Sequence, residues 1–162
     1  MRGPVMLCND VRPPINENVL ARLLEKAVNM EEATINILLR LFIAEEDPDA
    51  RKILYELLRD SEYHKTVVVN CLKSLRGGAY PEPMKFKEYE FEDMFYAEKS
   101  AILKNVKIVL LDFYRYLLQD VRLARDSGIL DKTHTENVCK CLEMLIKEKE
   151  RHLKLVEDIW NL

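Results

Sequence analysis

Apolar residues return every three or four positions along most of the chain, and the phase of that return is interrupted at only a few turn signals. From about Ile15 to Ala44 an inward line of Leu20, Leu24, Ala27, Ile35, Leu38 and Phe42 faces away from Arg22, Glu25, Asn29, Glu32, Asn36 and Arg40. This is the two-faced pattern of a helix lying on a core. Asp47 and Pro48 mark a stop and a restart, because Asp caps a helix N-terminus and Pro fits its first position. A second helix is predicted from about Pro48 to Leu75, with Ile53, Leu54, Leu57, Val68, Cys71 and Leu75 inward and with Arg76, Gly77 and Gly78 closing it. The stretch holding Pro81 and Pro83, up to about Glu88, has no period and forms one long connection. A third helix follows from about Phe91 to Arg125, with Met94, Phe95, Ala101, Ile102, Val109 and Tyr116 as its inward line, and Ser127 and Gly128 stop it. Thr133 and Glu136 fit a capping box for a fourth helix reaching Trp160, with Val138, Leu142, Leu145, Val156 and Ile159 inward.

No segment alternates with a strand period, so the expected fold is all-α: a four-helix bundle of two antiparallel hairpins joined by one long crossover. The 162 residues suit one domain, read as residues 16–162 behind an extended N-terminal arm over 1–15. Charged residues make up 33% of the chain and the net charge is only -3, so neither nucleic acid nor an anionic membrane is an expected partner. The start MRGPVMLCNDVRPP lacks the apolar run of a signal peptide. Arg40 and Asp112 interrupt the most apolar stretches, short of the ~18 residues a membrane span needs. A cytoplasmic location is expected. Cys8, Cys71, Cys139 and Cys141 form no CxxC pair and read as reduced thiols, three of them in helical apolar patterns.

Polar residues inside the stripes carry the chemistry. Glu31 falls on the buried line of the first helix between Ala27 and Thr34, while Glu32 points out; Glu98 falls between Phe95 and Ala101 in the same way. Ser61 and His64 continue the line Leu54, Leu57, Val68, and Lys149 and His152 continue Leu142, Leu145, Val156. Glu31, His64, Glu98, Lys149 and His152 are thus predicted to converge on one layer. Buried charges need a metal, internal salt bridges or water. A lone histidine on an apolar stripe is most often a hydrogen-bonded core residue, but here two histidines face two glutamates with hairpin symmetry.

The stretch LRLFIAEEDPDARKILYELLRDSEYH, followed later by FYAEKSAI, resembles the ferritin-like superfamily in its rubrerythrin-type branch, over about Leu20 to Trp160. The resemblance implies that each outer helix gives one glutamate and each of the other two an E-x-x-H motif that holds two irons. Carried over, the outer glutamates are Glu31 and Glu98, the histidines His64 and His152, and the bridging carboxylate positions Ser61 and Lys149. Asp60 and Glu148, four residues before each histidine, are alternative ligands if both helices roll.

Two irons need about four carboxylates for neutrality, so this set disfavours a complete di-iron centre. Three readings follow. A bundle with an eroded site would act as a metal-free scaffold or binding protein. A residual site on Glu31, Glu98, His64 and His152 would hold one transition metal, iron first, for redox work or metal handling. A displaced di-iron oxidase or peroxidase would use Asp60 and Glu148. The resemblance also implies a homodimer, and an external electron donor for any redox role, because no rubredoxin-type cysteine pairs occur. With no metal, Lys149 can sit between Glu31 and Glu98 as the cation of the layer, with a protonated His64 or His152. Tyr63, Tyr96, Tyr114 and Tyr116 are candidates for packing or for hydrogen bonds to the site.

Overall fold

The computed structural model describes residues 15–75, 81–82, 85 and 88–160. Cys8 and residues 1–14 of the arm expected over 1–15, together with Arg76, Gly77, Gly78 and Pro83, lie outside the described residues. The helices are α1 (Glu17–Ala44), α2 (Pro48–Ser74), α3 (Tyr96–Asp126) and α4 (Lys132–Ile159), with no strand among the described residues.

Local chemistry accounts for their ends. The Asn16 side chain accepts from the Val19 N–H at 2.9 Å, and Asp47 accepts from Ala50 at 2.9 Å ahead of Pro48. The Arg51 guanidinium donates at 2.8 Å to the carbonyls of Phe42 and Glu45, which closes the tail of α1 and ties it to α2. Gly128 takes φ 78° after α3, a region glycine occupies without steric cost. One cap differs from the expected Thr133/Glu136 box: Asp131 is the N-cap of α4, and the Thr135 hydroxyl donates to the Asp131 carbonyl at 2.6 Å. α3 also starts later than Phe91, whose buried ring lies in the segment ahead of the helix.

α1 packs on α2 and α3, and α4 packs on α2 and α3, so α1 and α4 face each other across one diagonal and α2 and α3 across the other. The apolar core is split in two. One cluster joins Leu20, Leu24 and Val28 with Val68, Leu72, Leu117, Val121, Val138 and Leu142. The second joins Leu38 and Leu41 with Leu54, Leu57, Leu103, Val156 and Ile159. Between them every helix contributes buried polar residues: Glu31 and Thr34, Ser61 and His64, Lys107, Lys149 and His152.

The expected inward lines of α1, α2 and α4 are largely the observed ones, but that of α3 is not. Phe95, Ala101, Val109 and Tyr116 are exposed, and the buried face runs through Lys99, Leu103, Lys107, Leu110, Leu111, Tyr114, Leu117, Leu118 and Val121. Both faces of α3 are apolar enough to be buried, and the face richer in leucine is the one that packs.

Candidate functional site in the bundle core

Glu31 is fully buried on α1 and both of its oxygens are engaged. Lys149 Nζ on α4 donates to Oε2 at 2.8 Å, across the diagonal, and the Tyr114 hydroxyl on α3 donates to Oε1 at 2.7 Å. Charge-assisted bonds of this length are what permits an ionised carboxylate inside a bundle. The other diagonal is bridged by Lys107, whose Nζ lies 3.3 Å from Ser61 Oγ and 3.2 Å from His152 Nδ1.

From His152 the network runs outward. Its Nε2 lies 3.2 Å from Asp60 Oδ2, so Nε2–H donates to the carboxylate and Nδ1 accepts from Lys107. Arg151 closes the rim, donating to Asp60, to Glu148 at 3.0 Å and to Glu56 at 3.0 Å, and this acidic company raises its pKa. The first cause is the hydrogen bond to Glu148. His64 is the poorly served member. Its Nε2 is 3.8 Å from Glu148 Oε2, too far for a hydrogen bond, and its buried Nδ1 has no partner. The two imidazoles lie side by side with centroids 5.2 Å apart.

The electrostatics favour neutral rings and a neutral phenol. Burial and then the Lys149 charge hold the His64 pKa down at about 2. Burial and then Lys107 and Lys149 depress that of His152. Lys107 is itself pushed well below the ordinary lysine value by burial and by Lys149, against the pull of Glu31 and Asp60. Burial and the Glu31 carboxylate push Tyr114 well above the usual phenol value. The protonated histidine expected to balance a metal-free layer is therefore not the balancing group. Lys149 neutralises Glu31, and Arg151 serves Asp60 and Glu148 at the rim.

Of the residues expected in one layer, Glu31, His64, Lys149 and His152 are buried there, with Ser61 beside them, and Glu98 is not: it is exposed on the first turn of α3. Lys149 accordingly binds Glu31 alone rather than lying between two glutamates. Asp60 and Glu148 approach the histidines, and the ligand atoms of His64, Glu148 and His152 lie within 4.8 Å of one another. Sequence reasoning missed Lys107 and Arg151. Lys107 has one signal, its place on the line Leu103, Leu110, Tyr114, Leu117, which is as apolar as the line through Phe95, Ile102, Val109 and Tyr116. Among the tyrosines named, Tyr114 bonds the site, whereas Tyr63, Tyr96 and Tyr116 are exposed. Cys71 is buried, and burial with Cys141 beside it pushes its thiol up to about 12, consistent with an inert thiol.

No family model matches the chain, and no curated protein matches it. A solved structure with the same fold is the crystal structure of a protein from Xanthomonas campestris pv. campestris, 15% identical, with a TM-score of 0.67 over 90% of each chain. At that identity the likeness concerns the fold alone. No helix among the described residues is long and apolar enough to cross a membrane.

Proposed function

We propose that the chain is a ferritin-like bundle in which a built-in ammonium, that of Lys149, and the amine of Lys107 occupy the layer that a dinuclear metal centre would fill, and that it serves as a scaffold or binding protein rather than as a di-iron oxidase. The observation that carries this is the fully buried Lys149–Glu31 bond of 2.8 Å across the bundle diagonal. The packing order supports the ferritin-like part. The start of α1 shares a cluster with the end of α3, and the end of α1 shares one with Leu103 near the start of α3. With α1 and α4 running one way and α2 and α3 the other, the link between α2 and α3 travels the length of the bundle.

The residues present do not fit two irons. On this reading Lys107 stands where α3 would supply its glutamate, and Ser61 and Lys149 stand where the two bridging carboxylates would be. Glu31 is then the one carboxylate left at those positions, beside two amines. Replacing all three by glutamate, as S61E/K107E/K149E, should create a layer of four carboxylates and two histidines. We expect that variant to bind ferrous iron at up to two per chain and to gain thermal stability from it through linkage. Should elemental analysis find no more iron on the variant than on the parent, with melting unaffected by iron, these positions are not the lost ligand positions.

A second reading, a single transition metal at the rim, is favoured by the buried His64 ring, whose Nδ1 has no hydrogen-bond partner. His64, His152 and Glu148, with Asp60 adjacent, form a mixed imidazole and carboxylate set suited to zinc or ferrous ion. Redox work at such an ion would draw on an external donor. Arg151 competes for both carboxylates, so Arg151→Ala should tighten Zn2+ binding in calorimetric titration, and His152→Ala should abolish it. Parent and Arg151→Ala protein that both fail to bind Zn2+ would eliminate this reading.

A further inference from the structure

The outward face of α3 carries a second apolar line that the bundle does not bury. Phe95, Ile102, Val109, Tyr116 and Leu123 recur at a strict seven-residue spacing. Ile102 is half-buried, while Phe95 is 77%, Val109 52%, Tyr116 56% and Leu123 63% exposed, with Ile108 at 45% beside them. A seven-residue apolar repeat keeps one seam of a helix turned toward a partner helix. From Phe95 to Leu123 the seam runs roughly 42 Å at 1.5 Å per residue. An apolar groove of about 210 Å³ between α1 and α3, lined by Met30, Ala33, Val106, Val109 and Leu110, opens beside it.

We infer that a second copy of this chain docks here, with the two α3 helices antiparallel about a two-fold axis at Val109. The line is self-complementary about that residue. Phe95 and Leu123 are equidistant from Val109, as are Ile102 and Tyr116, so the antiparallel pair sets aromatic against aliphatic at both ends and Val109 against itself. Such a self-facing patch is what an isologous interface requires. Charge selects the same direction. Glu92 and Asp93 lie just ahead of α3 and Glu98 on its first turn, offset by Lys104, and Arg115, Arg122 and Arg125 lie toward its end, where Arg115 and Arg122 also bond Glu150 and Glu143 of α4 and Asp120 and Asp126 dilute the charge. Antiparallel pairing brings acidic end to basic end, whereas parallel pairing would stack like charges. The area is of the right order. A standard interface buries ~800 Å² per partner, and a large aromatic alone can bury ~150–250 Å², so Phe95 and Tyr116 with three aliphatics and the groove walls reach that range.

Sedimentation equilibrium of the full chain should give a dimer. Val109→Arg places two guanidinium groups against each other on the axis and should raise the dimer dissociation constant ~100-fold. Because Val109 is half-exposed, the monomer's circular dichroism and melting should stay close to those of the parent. Phe95→Cys and Leu123→Cys proteins, mixed and oxidised, should form a disulfide-linked heterodimer, while each alone should not cross-link through the new thiol. A parent that sediments as a monomer at micromolar concentration overturns the inference and assigns this face to another occupant, such as residues 1–14 or a different protein. So does a dimer insensitive to Val109→Arg, or a Phe95→Cys protein that cross-links readily to itself.

Discussion

Removing Lys149 as a charge, by Lys149→Met, should cost far more than the bond it makes is worth. At 2.8 Å and an effective dielectric of ~20, the Lys149–Glu31 attraction is about 6 kcal/mol. Most of that offsets the desolvation of two ions, each costing several kcal/mol after relaxation. The pair as a whole is therefore nearly neutral relative to an apolar pair of the same size. Deleting one partner is different, because the other ion keeps its desolvation cost and loses its compensation. In Lys149→Met, Glu31 retains the Tyr114 hydroxyl but stays buried without its counter-ion. In Glu31→Gln, Lys149 stays buried without its counter-ion. Each single variant should therefore lose ~3–5 kcal/mol, a large share of the ~5–15 kcal/mol of a typical domain. The double variant should lose only ~1–2 kcal/mol, since the glutamine amide still accepts from Tyr114. Urea unfolding of all four proteins completes the double-mutant cycle, with an expected coupling of at least ~3 kcal/mol. A coupling below ~1 kcal/mol, or a Lys149→Met protein as stable as the parent, would refute the view that an ammonium holds this layer together.

Two further outcomes follow from the same layer. His64 and His152 have folded pKa values far below 6.5, so below pH 6.5 the unfolded chain binds protons that the folded chain excludes. Stability from these rings is full above pH 6.5 and falls with falling pH, by about 4 kcal/mol for the pair between pH 7 and 5. His64→Phe should remove about half of that slope in urea unfolding, and equal slopes for parent and variant would contradict the assignment. Lys107 is likewise depressed from 10.5, so folding favours its neutral form and stability should rise with pH, by at most about 1.4 kcal/mol per unit, in the window just below the ordinary lysine value. Lys107→Met should abolish that rise, and a parent whose stability is flat over this window would show that the amine stays charged when buried. Tyr114, whose pKa is raised, adds an opposing loss only above pH 10.

The helical class, the Asp47–Pro48 turn, the Ser127–Gly128 stop and the buried lines of α1, α2 and α4 are all legible in the sequence. Each depends on contacts a few residues apart: caps, a proline at the first helical position, a glycine at positive φ, and a single apolar stripe against one polar face. The placing of Glu31, Ser61, His64, Lys149 and His152 is legible for the same reason, because each sits on a stripe with no rival. α3 is where local information runs out. Its Phe95–Leu123 line and its Leu103–Val121 line are both apolar, and periodicity alone does not say which of two good faces turns inward. Packing against α1 and α4 decides it, and that choice exposes Glu98, buries Lys107 and brings Tyr114 onto Glu31. The side-chain reach across the two diagonals is also a tertiary outcome, since Lys149–Glu31 and Lys107–Ser61 join residues 118 and 46 positions apart. What the sequence determines by itself is that charged groups enter the core. Which of them meet depends on the rotation of each helix about its axis, and only the packed bundle sets that rotation.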